Sequence, residues 1–107
     1  MSAPSLTLWM TPEFIDWREQ LHPQPRARLI SRFDFLRSGH FGDSRSLGDG
    51  LFELRWRNGM RVYYSRRRVA GVDAIVVWGG FKGTQDADIA KARRLKDHYE
   101  AELADEA

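Results

Sequence analysis

Cysteine is absent from this chain of 107 residues, which excludes disulfides, thiol nucleophiles and every Cys-based zinc or iron–sulfur site. Histidine is scarce: His22, His40 and His98 lie far apart, without the close pairing of a His-led metal motif. No metal and no cofactor is therefore expected. Long apolar runs are missing too. The longest, Ala74–Trp78, is far short of the ~20 residues that span a bilayer, so no membrane partner is expected. The opening MSAPSLTLWM has no charged segment leading an apolar one, which points away from a secretory leader and towards the cytoplasm. What remains for chemistry is Arg, Lys, Tyr, the acids and the backbone. The length suits a single domain over residues 1–107, able to bury roughly 60–70% of its unfolded surface around one core.

Lysine is as scarce as histidine, and arginine takes its place. Fourteen of the 17 basic residues are Arg, the type suited to bidentate recognition of phosphate. The net charge of +2 hides an uneven distribution. Residues 18–68 hold twelve Arg and no Lys against five acids, giving +7, whereas the two ends are acidic. A basic middle of this kind is either a solvated surface or the footprint of nucleic acid or an acidic partner.

Hydrophobic periodicity sets the expected elements. Leu6–Met10 reads as a short strand. Thr11-Pro12-Glu13 starts a helix, with Thr as N-cap and Pro at the first position, and Phe14, Trp17 and Leu21 at helical spacing. His22-Pro23-Gln24-Pro25 breaks it, and a second helix runs from about Gln24 to Ser38 with Leu29, Phe33 and Leu36 inward and Arg28 and Arg32 outward. Residues 39–50, GHFGDSRSLGDG, read as an ordered loop. Leu51–Arg57 and Met60–Ser65 alternate as two strands. Asn58-Gly59 between them looks like a two-residue turn, but that register mixes apolar and polar faces. A three-residue connection, Arg57-Asn58-Gly59, restores the phase: Leu54 opposes Val62 and Phe52 opposes Tyr64. Asp73–Trp78 has the near-continuous apolar character of a strand buried on both faces. A final helix follows Thr84 or Asp86, with Ile89, Ala92, Leu95, Tyr99 and Leu103 inward. The order is β-αα-βββ-α: a small α+β domain with an antiparallel-rich sheet and helices packed on one face.

Two constellations carry candidate chemistry. The hairpin register sets Glu53 opposite Tyr63 and Arg55 opposite Arg61. Like charges face to face are destabilising unless an anion or a nearby acid compensates, so this is a phosphate-binding face or a solvated one. Gly79-Gly80-Phe81-Lys82-Gly83-Thr84 joins a strand end, a glycine turn, a lysine and a helix N-terminus, either an anion cradle or a tight turn with a cap. Arg66-Arg67-Arg68 reads as a solvated basic loop, or as a salt-sensitive contact to RNA phosphates. His40 reads as a surface histidine and His98 as structural.

These pieces together resemble the RelE/ParE toxin superfamily, most closely its HigB-like addiction module killer branch. The resemblance runs from about Phe14 to Tyr99. It is carried by Arg37–Asp43, Leu47–Arg55, Arg61-Val62-Tyr63-Tyr64 and Gly79–Ile89, above all the order Glu-Leu-Arg, Arg-Val-Tyr, Gly-Gly-x-Lys-x-x-Gln. It implies the toxin of a type II toxin–antitoxin pair, with an antitoxin of helix-turn-helix type encoded next door and the ribosome and mRNA as targets. The implied activity is metal-independent cleavage of mRNA. By this resemblance Arg61 is the catalytic arginine, Arg55 a second phosphate clamp and Lys82 a further cation. Glu53 and Tyr63 are candidates for proton transfer, and Arg57, Arg66, Arg67 and Arg68 for RNA contact. The sequence departs from better-known relatives near its end, where Gln85, Asp86 and Asp88 stand in place of a Tyr or His. Two other readings follow from the same resemblance: a non-catalytic, ParE-like inhibitor of gyrase, or an inactive relative that only binds antitoxin.

Overall fold

The computed structural model describes residues 5–106; residues 1–4 and 107 lie outside it, and with them the ends of the expected domain and part of the stretch read for a leader. The chain runs β1 (Leu8–Met10), α1 (Pro12–Glu19), α2 (Pro23–Arg37), β2 (Ser44–Gly48), β3 (Leu51–Arg55), β4 (Met60–Ser65), β5 (Ala74–Phe81) and α3 (Gln85–Glu106). One sheet holds the strands in the order β1-β5-β4-β3-β2. Its pairs are antiparallel except β1 with β5, which is parallel. The α+β class is as expected. Among the described residues no helix is long and apolar enough to cross a membrane.

Local chemistry explains the helix starts and stops. Thr11 Oγ1 accepts from the Phe14 amide at 3.0 Å and caps α1, with Pro12 at the first position, where a missing N–H costs nothing. Gly39, at φ +89°, closes α2: the Gly39 and His40 amides bond back to the carbonyls of Leu36 and Phe35 at 2.9 Å. The hairpin adopts the expected register, with Leu54 opposite Val62, Phe52 opposite Tyr64, Glu53 opposite Tyr63 and Arg55 opposite Arg61. Trp56 and Met60 close it through a 3.0 Å bond from the Trp56 amide to the Met60 carbonyl, and Gly59 takes φ +93°.

Three expectations are corrected. The segment expected as a loop over residues 39–50 contains a strand, β2, which pairs with β3 and makes the order β-αα-ββββ-α. Ser-Arg-Ser-Leu-Gly has little apolar alternation, and its place at the sheet edge is decided by main-chain pairing that side chains do not signal. Helices cover both faces of the sheet rather than one. Phe14, Leu29, Phe33 and Leu36 of α1 and α2 pack on Leu54, Val62, Tyr64 and Val76, while Ala92 and Leu103 of α3 pack with Leu51, Tyr63, Ile75 and Val77. A central strand as uniformly apolar as β5 needs cover on both sides. Third, Gly79 and Gly80 belong to β5 and not to a glycine turn. A Cβ at Gly79 would lie 2.4 Å from the Trp17 ring, and one at Gly80 would lie 2.1 Å from Asp88 Oδ2. These glycines admit α1 and α3 to the two faces; the turn itself is made at Gly83, φ +116°.

Candidate functional site

The arginines that face each other across the hairpin open onto a cleft. Arg55 and Arg61 are cross-strand partners at the turn end of β3 and β4. With Arg57 from the turn, Arg32 from α2, Trp56 and Asp43, they line a cavity of about 460 Å³. Four guanidinium groups therefore meet one carboxylate. That carboxylate is engaged: Asp43 Oδ1 accepts from Arg55 Nε at 3.2 Å and from Nη2 at 2.9 Å. Arg61 Nη1 donates to the carbonyls of Met60 (3.0 Å) and Trp56 (3.3 Å), which fixes its head against the hairpin, and among the described residues its Nε is buried without a partner. Guanidiniums held in this way, Arg32, Arg55 and Arg61 by hydrogen bonds and Arg57 exposed beside them, suit the oxygens of a phosphate better than solvated lysines would.

Arg32 builds the wall of this cleft, and the helical pattern expected it outward. Its Nη2 donates to the carbonyls of Asp43 at 2.8 Å and Phe41 at 3.2 Å, and its Nη1 donates to the carbonyl of Arg55. The guanidinium also lies 4.5 Å from the centre of the Trp56 ring. One side chain thus ties the α2–β2 connection to the end of β3. Burial pulls its pKa below the ordinary arginine value, partly offset by the charge of Asp43. Asp43 and Trp56 are the other residues that sequence reasoning missed. Asp43 sits twelve positions ahead of Arg55 in a segment read as loop, and only the β2–β3 pairing brings the two together.

The remaining candidates are not gathered into the cleft. Lys82 is exposed and stands beside the hairpin turn, its amide donating to the Gly59 carbonyl at 2.8 Å. It lines a neighbouring cavity of about 590 Å³ with Thr84, Gln85 and Asp86. Gly79 and Gly80, read from sequence as part of either an anion cradle or a tight turn, are strand residues of β5. Glu53 and Tyr63 are fully buried beneath α3 and line neither cavity. The Glu53 carboxylate accepts from Gln85 Nε2 at 2.7 Å and Arg45 Nε at 3.0 Å. Among the described residues the Tyr63 hydroxyl has no hydrogen-bond partner, and burial, with the charges of Glu53 and Asp88, pushes its pKa far above the ordinary phenol value. Arg66, Arg67 and Arg68 lie at the opposite end of β4, about 16 Å along the strand from Arg61. Arg66 stacks 4.2 Å over Phe41, Arg67 approaches Glu100 at 3.8 Å and Arg68 approaches Asp73 at 3.5 Å. His40 and His98 are exposed.

The architecture is RelE-like. It superposes on the crystal structure of the isolated E. coli RelE toxin with a TM-score of 0.61 at 15% sequence identity, covering 81% of this chain and 98% of that one. No known family model matches the chain. It is 40% identical over 88 residues to an uncharacterized protein of Haemophilus influenzae, covering 79% of this chain and 87% of that protein. The chain belongs to the same family as that protein.

Proposed function

We propose that this protein is the toxin of a type II toxin–antitoxin module, of the HigB-like kind, and that it arrests translation by cutting mRNA on the ribosome. The observation that carries the reading is the convergence of Arg55, Arg61, Arg57 and Arg32 on one cleft. The RelE-like fold supports it, since the E. coli protein of that fold is a toxin.

In the proposed reaction the ribose 2′-hydroxyl attacks the adjacent phosphorus. The bond to the 5′-oxygen breaks, leaving a cyclic phosphate on one fragment and a 5′-hydroxyl on the other. Negative charge grows on the non-bridging oxygens, and Arg55 and Arg61 hold it, with Lys82 adding positive potential from beside the turn. Two protons must move: one off the 2′-hydroxyl, and one onto the leaving oxygen, which solvent water supplies. Asp43 is the one carboxylate among the residues lining the cleft, and we assign it the first transfer. Glu53 and Tyr63 take a proton-transfer role only if the first turn of α3, tied to Glu53 through Gln85, lifts away. Arg57, Arg66, Arg67 and Arg68 contribute salt-sensitive attraction to RNA. The expected partner is an acidic antitoxin that neutralises the basic face, and the site of action is the cytoplasm.

Mapping of mRNA ends after induction tests this reading. Codon-spaced cuts that fall by at least about a hundredfold in Arg61→Ala, the scale of losing one oxyanion donor, support it. Growth arrest without cuts, unchanged in Arg61→Ala, transfers the protein to the non-catalytic, gyrase-directed reading. No arrest at all in the absence of the neighbouring gene leaves an inactive relative that only binds antitoxin.

A further inference from the structure

The cleft has a second compartment on the far side of the wall formed by Arg32 and Trp56. These two residues line both the arginine cleft and a shallow groove of about 450 Å³ completed by Ala27, Arg28, Ser31 and Phe35. Ala27, Ser31 and Phe35 are spaced four apart on α2, so they form one stripe of the helix surface. Phe35 is 61% exposed, the most exposed large apolar side chain among the described residues. Phe35 adds nothing to the core, because the buried stripe of α2 is supplied by Leu29, Phe33 and Leu36, and its ring is left free at the edge of the arginine cluster.

We propose that this groove holds an unpaired nucleobase of the RNA whose phosphate lies in the arginine cleft, stacked against Phe35 and the edge of Trp56. The inference rests on the RNA-cleaving reading above and extends it from the phosphate to the flanking nucleotide. Three observations favour a base as the occupant. The groove has the volume of a small-ligand site, roughly 300–1,000 Å³. It opens beside the phosphate cleft and shares Arg32 and Trp56 with it, so one nucleotide step joins an anionic site to an apolar one. Its charged borders, Arg28 and Arg32, are both cationic, which matches a polyanion whose bases stack on aromatic platforms. The stacking surface itself, Ala27 and Phe35 with the edge of Trp56, carries little to read base edges, with Ser31 and the two arginines at its borders, so the subsite discriminates weakly among bases and favours purines for their larger stacking area.

The test titrates the whole protein at low salt with a short unpaired oligoribonucleotide and with the same oligomer made abasic at the nucleotide flanking the central phosphate. Dissociation constants and the Trp56 indole resonance are read for the natural protein and for Phe35→Ser, a change at an exposed position outside the phosphate cleft. The expected result is a loss of about tenfold for Phe35→Ser on the intact oligomer, the scale of one base–aromatic stack, with no change on the abasic one. The Trp56 signal moves with the intact oligomer only. Equal affinity of natural protein and variant for the intact oligomer overturns the subsite while leaving the phosphate reading standing, and makes a protein segment the occupant. Failure of the natural protein to bind either oligomer defeats both together.

Discussion

At the scale of single residues the cleft balances attraction against restraint. Asp43 occupies part of Arg55's donor capacity through a forked contact, with both side chains partly exposed, at 39% for Arg55 and 59% for Asp43. An exposed pair of this kind is worth about 0.2–1 kcal/mol. Asp43→Asn therefore raises the affinity of the cleft for an inorganic phosphate probe by a factor of about two to five. If Asp43 also takes the 2′-hydroxyl proton, the same variant lowers cleavage while tightening binding. Isothermal titration with phosphate and end-mapping of mRNA separate the two effects; weaker phosphate binding would contradict the pairing described here. How far these residues can be read from sequence depends on what brings them together. Arg55 and Arg61 were legible because strand alternation fixes which residues face each other across a hairpin. Arg32 was not, since helical periodicity separates inward from outward but says nothing of a long side chain reaching three carbonyls. Asp43 was invisible for a related reason, being placed by pairing between distant backbone segments.

At the scale of elements the glycines of β5 have the largest structural consequence. In sequence, Gly79-Gly80 two residues ahead of Lys82 reads as a glycine turn, either an anion cradle or a tight turn before a helix cap. In the structure both are strand residues paired with β4, Arg61 opposite Gly80 and Val62 opposite Gly79. Their lack of a side chain is used for close approach on the two faces. Trp17 of α1 fills the space above Gly79, and Asp88 of α3 fills the space at Gly80 while accepting from Trp78 Nε1 (3.1 Å) and Thr84 Oγ1 (2.7 Å). Gly79→Ala places a methyl against the half-buried Trp17 ring, which must shift away from its packing on Phe14 and Phe81 to admit it. Overpacking of this kind costs about 1–3 kcal/mol. Urea denaturation checks it: a midpoint unchanged from the natural protein would show that Trp17 moves freely. The helices and the hairpin strands were legible because caps, prolines and alternation are local signals. β2 was not, because an edge strand of Ser, Arg and Gly is held by main-chain bonds to β3.

At the scale of the whole molecule, the covering of both sheet faces gives the protein a defined alkaline limit. The chain has three tyrosines, and all are held above their ordinary pKa. Tyr63 is buried on the α3 face and Tyr64 on the opposite face, in each case with burial as the main cause. Tyr99 is pushed up to about 12, first because its hydroxyl donates to Glu13 Oε1 at 2.7 Å, which joins α3 to α1. In the unfolded chain all three titrate near 10, so at higher pH the unfolded state loses protons that the folded state keeps. The stabilisation these phenols supply is complete below pH of about 10 and is lost as pH rises through the folded values. Absorbance of phenolate followed together with circular dichroism should thus show little tyrosinate until the fold itself gives way, and then both signals changing in one transition. Tyr99→Phe removes the portion set by Glu13, so its denaturation midpoint falls less steeply above about pH 10 than that of the natural protein. Ionisation of Tyr63 or Tyr64 near 10 with the helix signal intact would show that the sheet face it lies on is open to water, whereas the same behaviour of Tyr99 would show only that its bond to Glu13 is lost.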